Sequence, residues 1–101
     1  MKNQKRPNRC WRIRGYEGTA EIFDQSVPLG DITENSMKEL LRALAARNLS
    51  PRDVVGAYAK RRARISNEFL NIRKQNQVEK RRTLYVCGQN PHYIVTTDTC
   101  D

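Results

Sequence analysis

The chain predicts an α+β fold: a β-hairpin, a two-helix hairpin and a second β-hairpin, with an antiparallel sheet packed on the helices. Three observations carry this expectation. Residues 10–27 alternate apolar and polar side chains around a Gly15-Tyr16-Glu17-Gly18 turn. From residue 33 the apolar spacing changes to threes and fours, the period of a helix with one buried stripe. Residues 83–97 return to a strand-like pattern, broken by Gly88-Gln89-Asn90-Pro91.

Each element has its own justification. Residues 1–9 hold no apolar side chain after Met1 and read as a disordered basic arm, leaving 10–101 as a single small domain. Trp11 and Ile13 alternate with Arg12 and Arg14, which gives a strand with one wet face. Thr19 to Val27 is the second strand, ended by Pro28, Gly30 and Asp31. A helix over residues 33–47 comes next, capped by Asp31 with Glu34 or by Thr33 with Ser36. Met37, Leu40, Leu41, Leu44 and Ala45 form its stripe, and Asn48 suits its stop.

The next helix starts at once. Ser50 suits the N-cap, Pro51 the first turn and Asp53 the position three residues on, with Leu49 and Val54 placed as a hydrophobic staple. Tyr58, Ile65, Phe69 and Ile72 keep to its apolar side and extend it to about residue 74. Residues 75–82 read as a frayed helix end or a loop. Thr83–Cys87 and His92–Thr97 make the last hairpin.

Composition bounds the rest. Apolar residues are 38% of the 101, so the core is small and rests on a few large side chains. Candidates include Trp11, Ile13, Ile22, Leu41, Tyr58, Ile65, Phe69 and Ile94. The net charge of +8 is uneven: residues 1–14 carry +6, residues 15–40 carry −5, residues 41–82 carry +9 and residues 83–101 carry −2. The acidic segment reads as surface carboxylates, or as partners for the basic strand across the hairpin. No run approaches the ~20 apolar residues that cross a bilayer, so no membrane is expected. Three cysteines with no close spacing argue against a disulfide framework and for a reducing cytoplasm.

Lys60, Arg61, Arg62 and Arg64 put four cations into five residues. On the expected long helix, Lys60, Arg64 and Lys74 lie away from the apolar stripe, on a face shared with Asn67 and Asn71. Arg61 flanks the stripe, Arg62 falls at its edge, and Lys80, Arg81 and Arg82 extend the patch. Such a face suits phosphate, which guanidinium forks grip while counterions are released. The expectation is that Lys60, Arg61, Arg64 and Lys74 position phosphates, with Arg81 and Arg82 in support. A solvated face, or one that meets an acidic protein, explains the same charges.

The run Leu44 to Val55 resembles the pattern of helix-turn-helix DNA-binding domains, with Asn48, Leu49, Ser50 and Val54 matching the turn and the opening of the second helix. Leu44 departs from it, standing where that family has a small residue. The resemblance implies a DNA-reading second helix. A structural helical hairpin gives the same string.

No catalytic motif is present. Cys10, Cys87, His92 and Cys100 are the only thiol and imidazole donors, and they lack the tight paired spacing of a structural zinc site. Cys87 with His92 has nucleophilic potential, but nothing supplies an orienting third group. The function expected is therefore a small basic non-enzymatic protein, without cofactor or metal, that binds a polyanion, nucleic acid before others, through a basic helix face. The alternative is a protein-interaction or assembly module that forms a homodimer.

Overall fold

The computed structural model describes residues 9–77 and 82–100. Strand β1 (Arg9–Glu17) and strand β2 (Ala20–Pro28) form the first hairpin, and a 3₁₀ turn (Leu29–Asp31) comes after it. Two helices are next, α1 (Glu34–Ala46) and α2 (Pro51–Tyr58). Strands β3 (Ile72–Gln77), β4 (Arg82–Gly88) and β5 (His92–Thr99) complete one five-stranded antiparallel sheet of order β2-β1-β5-β4-β3. The α+β class holds, with the sheet packed on the helices. Residues 1–8 of the expected arm lie outside the described residues, and Arg9 opens β1.

The two hairpins meet along β1 and β5, where Trp11 faces Thr97, Ile13 faces Val95 and Gly15 faces Tyr93. Directly opposed residues share a sheet face. The pairing therefore places Trp11 and Ile13 beside Tyr93, Val95, Tyr85 and Cys87, all buried. Onto this face α1 lays Met37, Leu41 and Ala45, and Leu70 closes the cluster. Trp11 keeps its ring nitrogen satisfied by donating to the Ile32 carbonyl at 2.9 Å. Gly15 is required by packing: a Cβ there would stand 2.5 Å from Cε2 of the Tyr93 ring.

Local signals set the helix starts. Thr33 Oγ accepts from the Ser36 amide at 3.2 Å, and Ser50 Oγ accepts from the Asp53 amide at 3.1 Å. Each cap satisfies an amide that has no partner within its helix.

Four expectations are corrected. The second helix ends at Tyr58, not near residue 74. Ala59 is extended, and its amide returns to the Gly56 carbonyl at 3.2 Å. The next turn would have stacked Lys60 on Arg64, a like-charge pair that opposes helix. The chain instead folds back on α2. The Asn67 amide also reaches the Gly56 carbonyl at 3.2 Å, and Asn67 Nδ2 donates to the Asp53 carbonyl at 3.1 Å. The side chains expected on a continued stripe are accordingly solvent-facing: Tyr58 is 64% exposed, Ile65 55% and Phe69 39%.

The second correction is β3, expected as helix end or loop. Its alternation is invisible in the sequence because only Ile72 is apolar; pairing with β4 makes it a strand. Third, Ile22, expected in the core, is exposed on edge strand β2. Fourth, Cys10 and Cys100 form a disulfide, with Cα atoms 5.1 Å apart. Cys10 pairs with Asp98 across the β1–β5 ladder, and Cys100 lies two residues further on the same side. Ninety residues of separation hid this proximity.

Gly56 gives a test in which two rules disagree. Alanine in a helix interior ordinarily stabilises by up to ~1 kcal/mol over glycine. Here its Cβ would lie 2.2 Å from the Ile65 carbonyl oxygen. Gly56→Ala is therefore expected to destabilise by about 1–3 kcal/mol, read as a lower urea midpoint at unchanged slope.

Candidate functional site

The basic run is a turn and not a helix face. Residues 59–71 leave the end of α2, carry Lys60, Arg61, Arg62 and Arg64, and return through Asn67 and Leu70 to β3. All four cations are exposed. Among the described residues the ion pairs are Arg12–Asp24, at 2.8 Å, and Arg42–Glu39, and neither involves this turn. The carboxylates of the acidic segment do meet the basic strand, since Asp24 grips Arg12 through both oxygens. That contact raises the Arg12 pKa and lowers that of Asp24, in each case chiefly through the hydrogen bond between them. Arg42 of the second basic block pairs with Glu39, and Lys60, Arg61, Arg62 and Arg64 pair with no carboxylate among the described residues.

What holds the turn in shape is polar. Asn67 is the keystone: its Nδ2 bonds the Asp53 carbonyl and its Oδ1 accepts from the Phe69 amide at 3.0 Å. Arg42 donates from Nε to the Leu70 carbonyl at 3.2 Å, which pins the return limb to α1. Between α2 and this limb lies a polar cavity of about 230 Å³, lined by Arg61, Ser66, Asn67, Glu68 and Asn71 among others. Asn67 and Asn71 were expected on one helix face, with Arg61 flanking the apolar stripe, and a different backbone path brings the three around one cavity.

The other expected cations separate. Lys74 lies on β3, with its ammonium 5.9 Å from the centre of the Tyr85 ring, and Lys38 of α1 approaches that ring at 5.1 Å. Lys74 is thus a sheet-side group beside α1 and does not share an element with Lys60, Arg61 or Arg64. Arg82 opens β4 opposite Gln77. Lys80 and Arg81 lie outside the described residues. Arg62, expected at the edge of an apolar stripe, is exposed with its neighbours; its place in a contiguous run of cations was the signal.

A second cavity, of about 280 Å³, lies at the other end of α2. It is bounded by Leu49, Asp53, Phe69 and the β4–β5 turn, where Gln89, Asn90 and Pro91 form one wall. The Asn90–Pro91 peptide is cis. Asn90 Oδ1 accepts from the Gly18 amide at 2.7 Å, so the turns of the two hairpins are tied together at the rim. No sequence feature announced this cavity, which is assembled from three separate segments.

The residues considered for chemistry do not converge. Cys10 and Cys100 are bonded to each other, and among the described residues no three His, Cys, Asp or Glu side chains gather as metal donors. Cys87 is fully buried on the helix side of the sheet, and burial pushes its thiol pKa up. His92 pairs with Gly88, one residue out of phase with Cys87, so the two side chains belong to opposite faces. The helical pair that resembles a helix-turn-helix is present as a capped hairpin. Its second helix has eight residues, with Arg52 its one cation and Val55 and Tyr58 exposed.

The Tyr85 hydroxyl donates to the Glu34 carboxylate, which ties β4 to the first turn of α1. That hydrogen bond, with burial, pushes the phenol from its ordinary 10 to about 12. The unfolded chain releases this proton near pH 10, whereas the folded chain holds it to about pH 12. The stabilisation is therefore complete below pH 10 and lost as pH rises through about 12. The urea midpoint should fall more steeply across that window in the parent than in Tyr85→Phe, the comparison that separates Tyr85 from other alkaline titrations.

Comparison with known protein families, with curated proteins and with solved structures finds no match to this chain.

Proposed function

We propose that this protein binds nucleic acid, without catalysing a reaction, through the exposed turn Lys60–Arg64. One observation carries the reading: four cations within five residues stand exposed at one end of α2, and none is ion-paired with a carboxylate among the described residues. Holding like charges together is unfavourable unless water or an anion screens them, and phosphate is the anion that arginine forks fit best. Arg61 lines a polar cavity with Ser66, Asn67 and Asn71, whose hydroxyl and amides are further donors, and with Glu68, whose carboxylate confines phosphate to the rim of the cavity beside the cations. Lys74, Arg81 and Arg82 are not needed for this reading.

A competing reading has its own support. Val55, Tyr58 and Ile65 are 55–64% exposed beside the same turn, and apolar groups next to cations also suit an acidic protein partner or a second copy of the chain. Light scattering against concentration detects self-association, whereas polyanion binding shows as salt-sensitive affinity.

Location is linked to the thiols. The Cys10–Cys100 bond removes the premise from which a cytoplasmic site was expected, because such bonds persist where thiols are not kept reduced. Among the described residues no helix is long and apolar enough to cross a membrane.

The test is fluorescence anisotropy with labelled oligonucleotides at several salt concentrations. Replacing Lys60, Arg61 and Arg64 together by alanine should weaken binding to all sequences alike. It should also flatten the dependence of log affinity on log salt by about 2–3, near 0.9 per phosphate contact on duplex and 0.7 on single strands. Equal affinity in the triple variant and the parent would sink the assignment.

A further inference from the structure

We infer that the cavity between Leu49, Phe69 and the β4–β5 turn is a pocket for one unpaired nucleobase, which makes the ligand single-stranded. The inference rests on the reading of Lys60–Arg64 as a phosphate-binding turn, and it adds a substrate class.

Four observations carry it. The first is size. About 280 Å³ is near the lower bound of small-molecule sites, enough for one flat ring system and too small for a duplex. The second is the lining. Leu49, Phe69 and Pro91 supply apolar surface, and Phe69 is the exposed aromatic among them. Every base has a π-face, so an aromatic wall accepts any of them.

The third is the polar complement. Asn48, Gln89 and Asn90 bring amides, and Asp53 brings a carboxylate. A carboxylate repels phosphate but accepts hydrogen bonds from a base edge. Charge therefore sorts the ligand, with phosphates at the cationic turn and a neutral base in the cavity. Because Asp53 only accepts, the preferred base is one with adjacent donors on its pairing edge, as guanine has at N1 and its amino group.

The fourth is placement. The cavity borders the first turn of α2 through Asp53, and the basic turn continues from the last, at Lys60. An eight-residue helix is about 12 Å long, so an extended strand reaches both ends within a few nucleotides. The 66–71 limb joins them, since Asn67 lines the polar cavity and Phe69 the base pocket. The Gly18–Asn90 hydrogen bond holds the rim in place before any ligand arrives.

The experiment compares three labelled probes: an all-uridine single strand, the same strand with one central guanosine, and a duplex. Uridine stacks on Phe69 as well but offers Asp53 a single donor, so the guanosine strand should bind the parent about tenfold tighter than all-uridine, within the range of one bidentate base-edge contact. Phe69→Ala and Asp53→Asn should each remove that advantage without weakening duplex binding, which the lost carboxylate of Asp53→Asn can only raise. Asp53→Asn keeps volume and the backbone amide bonded by Ser50, so it tests the pocket even if Phe69→Ala folds poorly. A guanosine advantage that is absent in the parent, or survives both substitutions, overturns the pocket while leaving phosphate binding at Lys60–Arg64 intact. If no probe binds the parent, both readings fall.

Discussion

The ladder between β1 and β5 is the constraint on which the rest depends. It joins the first hairpin to the three strands β5, β4 and β3 and makes one sheet of a marginal two-stranded ribbon and its neighbour. Without it Trp11 and Ile13 would have no apolar neighbours beyond their own hairpin, and α1 would have nothing broad enough to cover. The ladder also dictates composition at one point. Tyr93 lies against the backbone of Gly15, an approach that any side chain at residue 15 would block. The tie between Gly18 and Asn90, and the bond between Cys10 and Cys100, are later consequences of the same register.

The helical layer is unequal. α1 packs three buried side chains on the sheet, whereas α2 buries only Gly56. A short helix with so little in the core is positioned by its ends: Ser50 at one, and the Gly56 carbonyl at the other, which receives both Ala59 and Asn67. That economy places a basic turn and two cavities around one small element. Function, on the reading proposed, is built on an exposed part of the molecule, as is common for binding loops carried on a rigid scaffold.

How much of this was legible in the sequence differs by element. The caps at Thr33 and Ser50 and the stripe of α1 were readable because the signals are local, set by spacings of three and four residues. The alternation of β1 was equally clear. The end of α2 was not, because Tyr58, Ile65, Phe69 and Ile72 satisfied helical phase across a six-residue gap that holds only Ala59 and Ala63 as apolar residues. Periodicity does not register the cost of crowded cations within that gap, nor the Asn67 hydrogen bonds that reward turning back. β3, the disulfide and the cavity between Leu49, Phe69 and the β4–β5 turn were hidden for one shared reason: each depends on residues far apart in the chain. Of the candidate site, Lys60, Arg61 and Arg64 were named from the sequence and are exposed together, but on a turn rather than the expected helix.

The covalent bridge between Cys10 and Cys100 spans almost the whole chain. Backbone cleavage anywhere between them, the solvent-facing cationic turn included, severs the polypeptide without releasing either fragment. A nicked molecule would gain only the mass of one water, and its fragments would separate only on reduction. The exposed turn that carries Lys60–Arg64 thus lies within the stretch of chain that the bridge keeps joined after a cut.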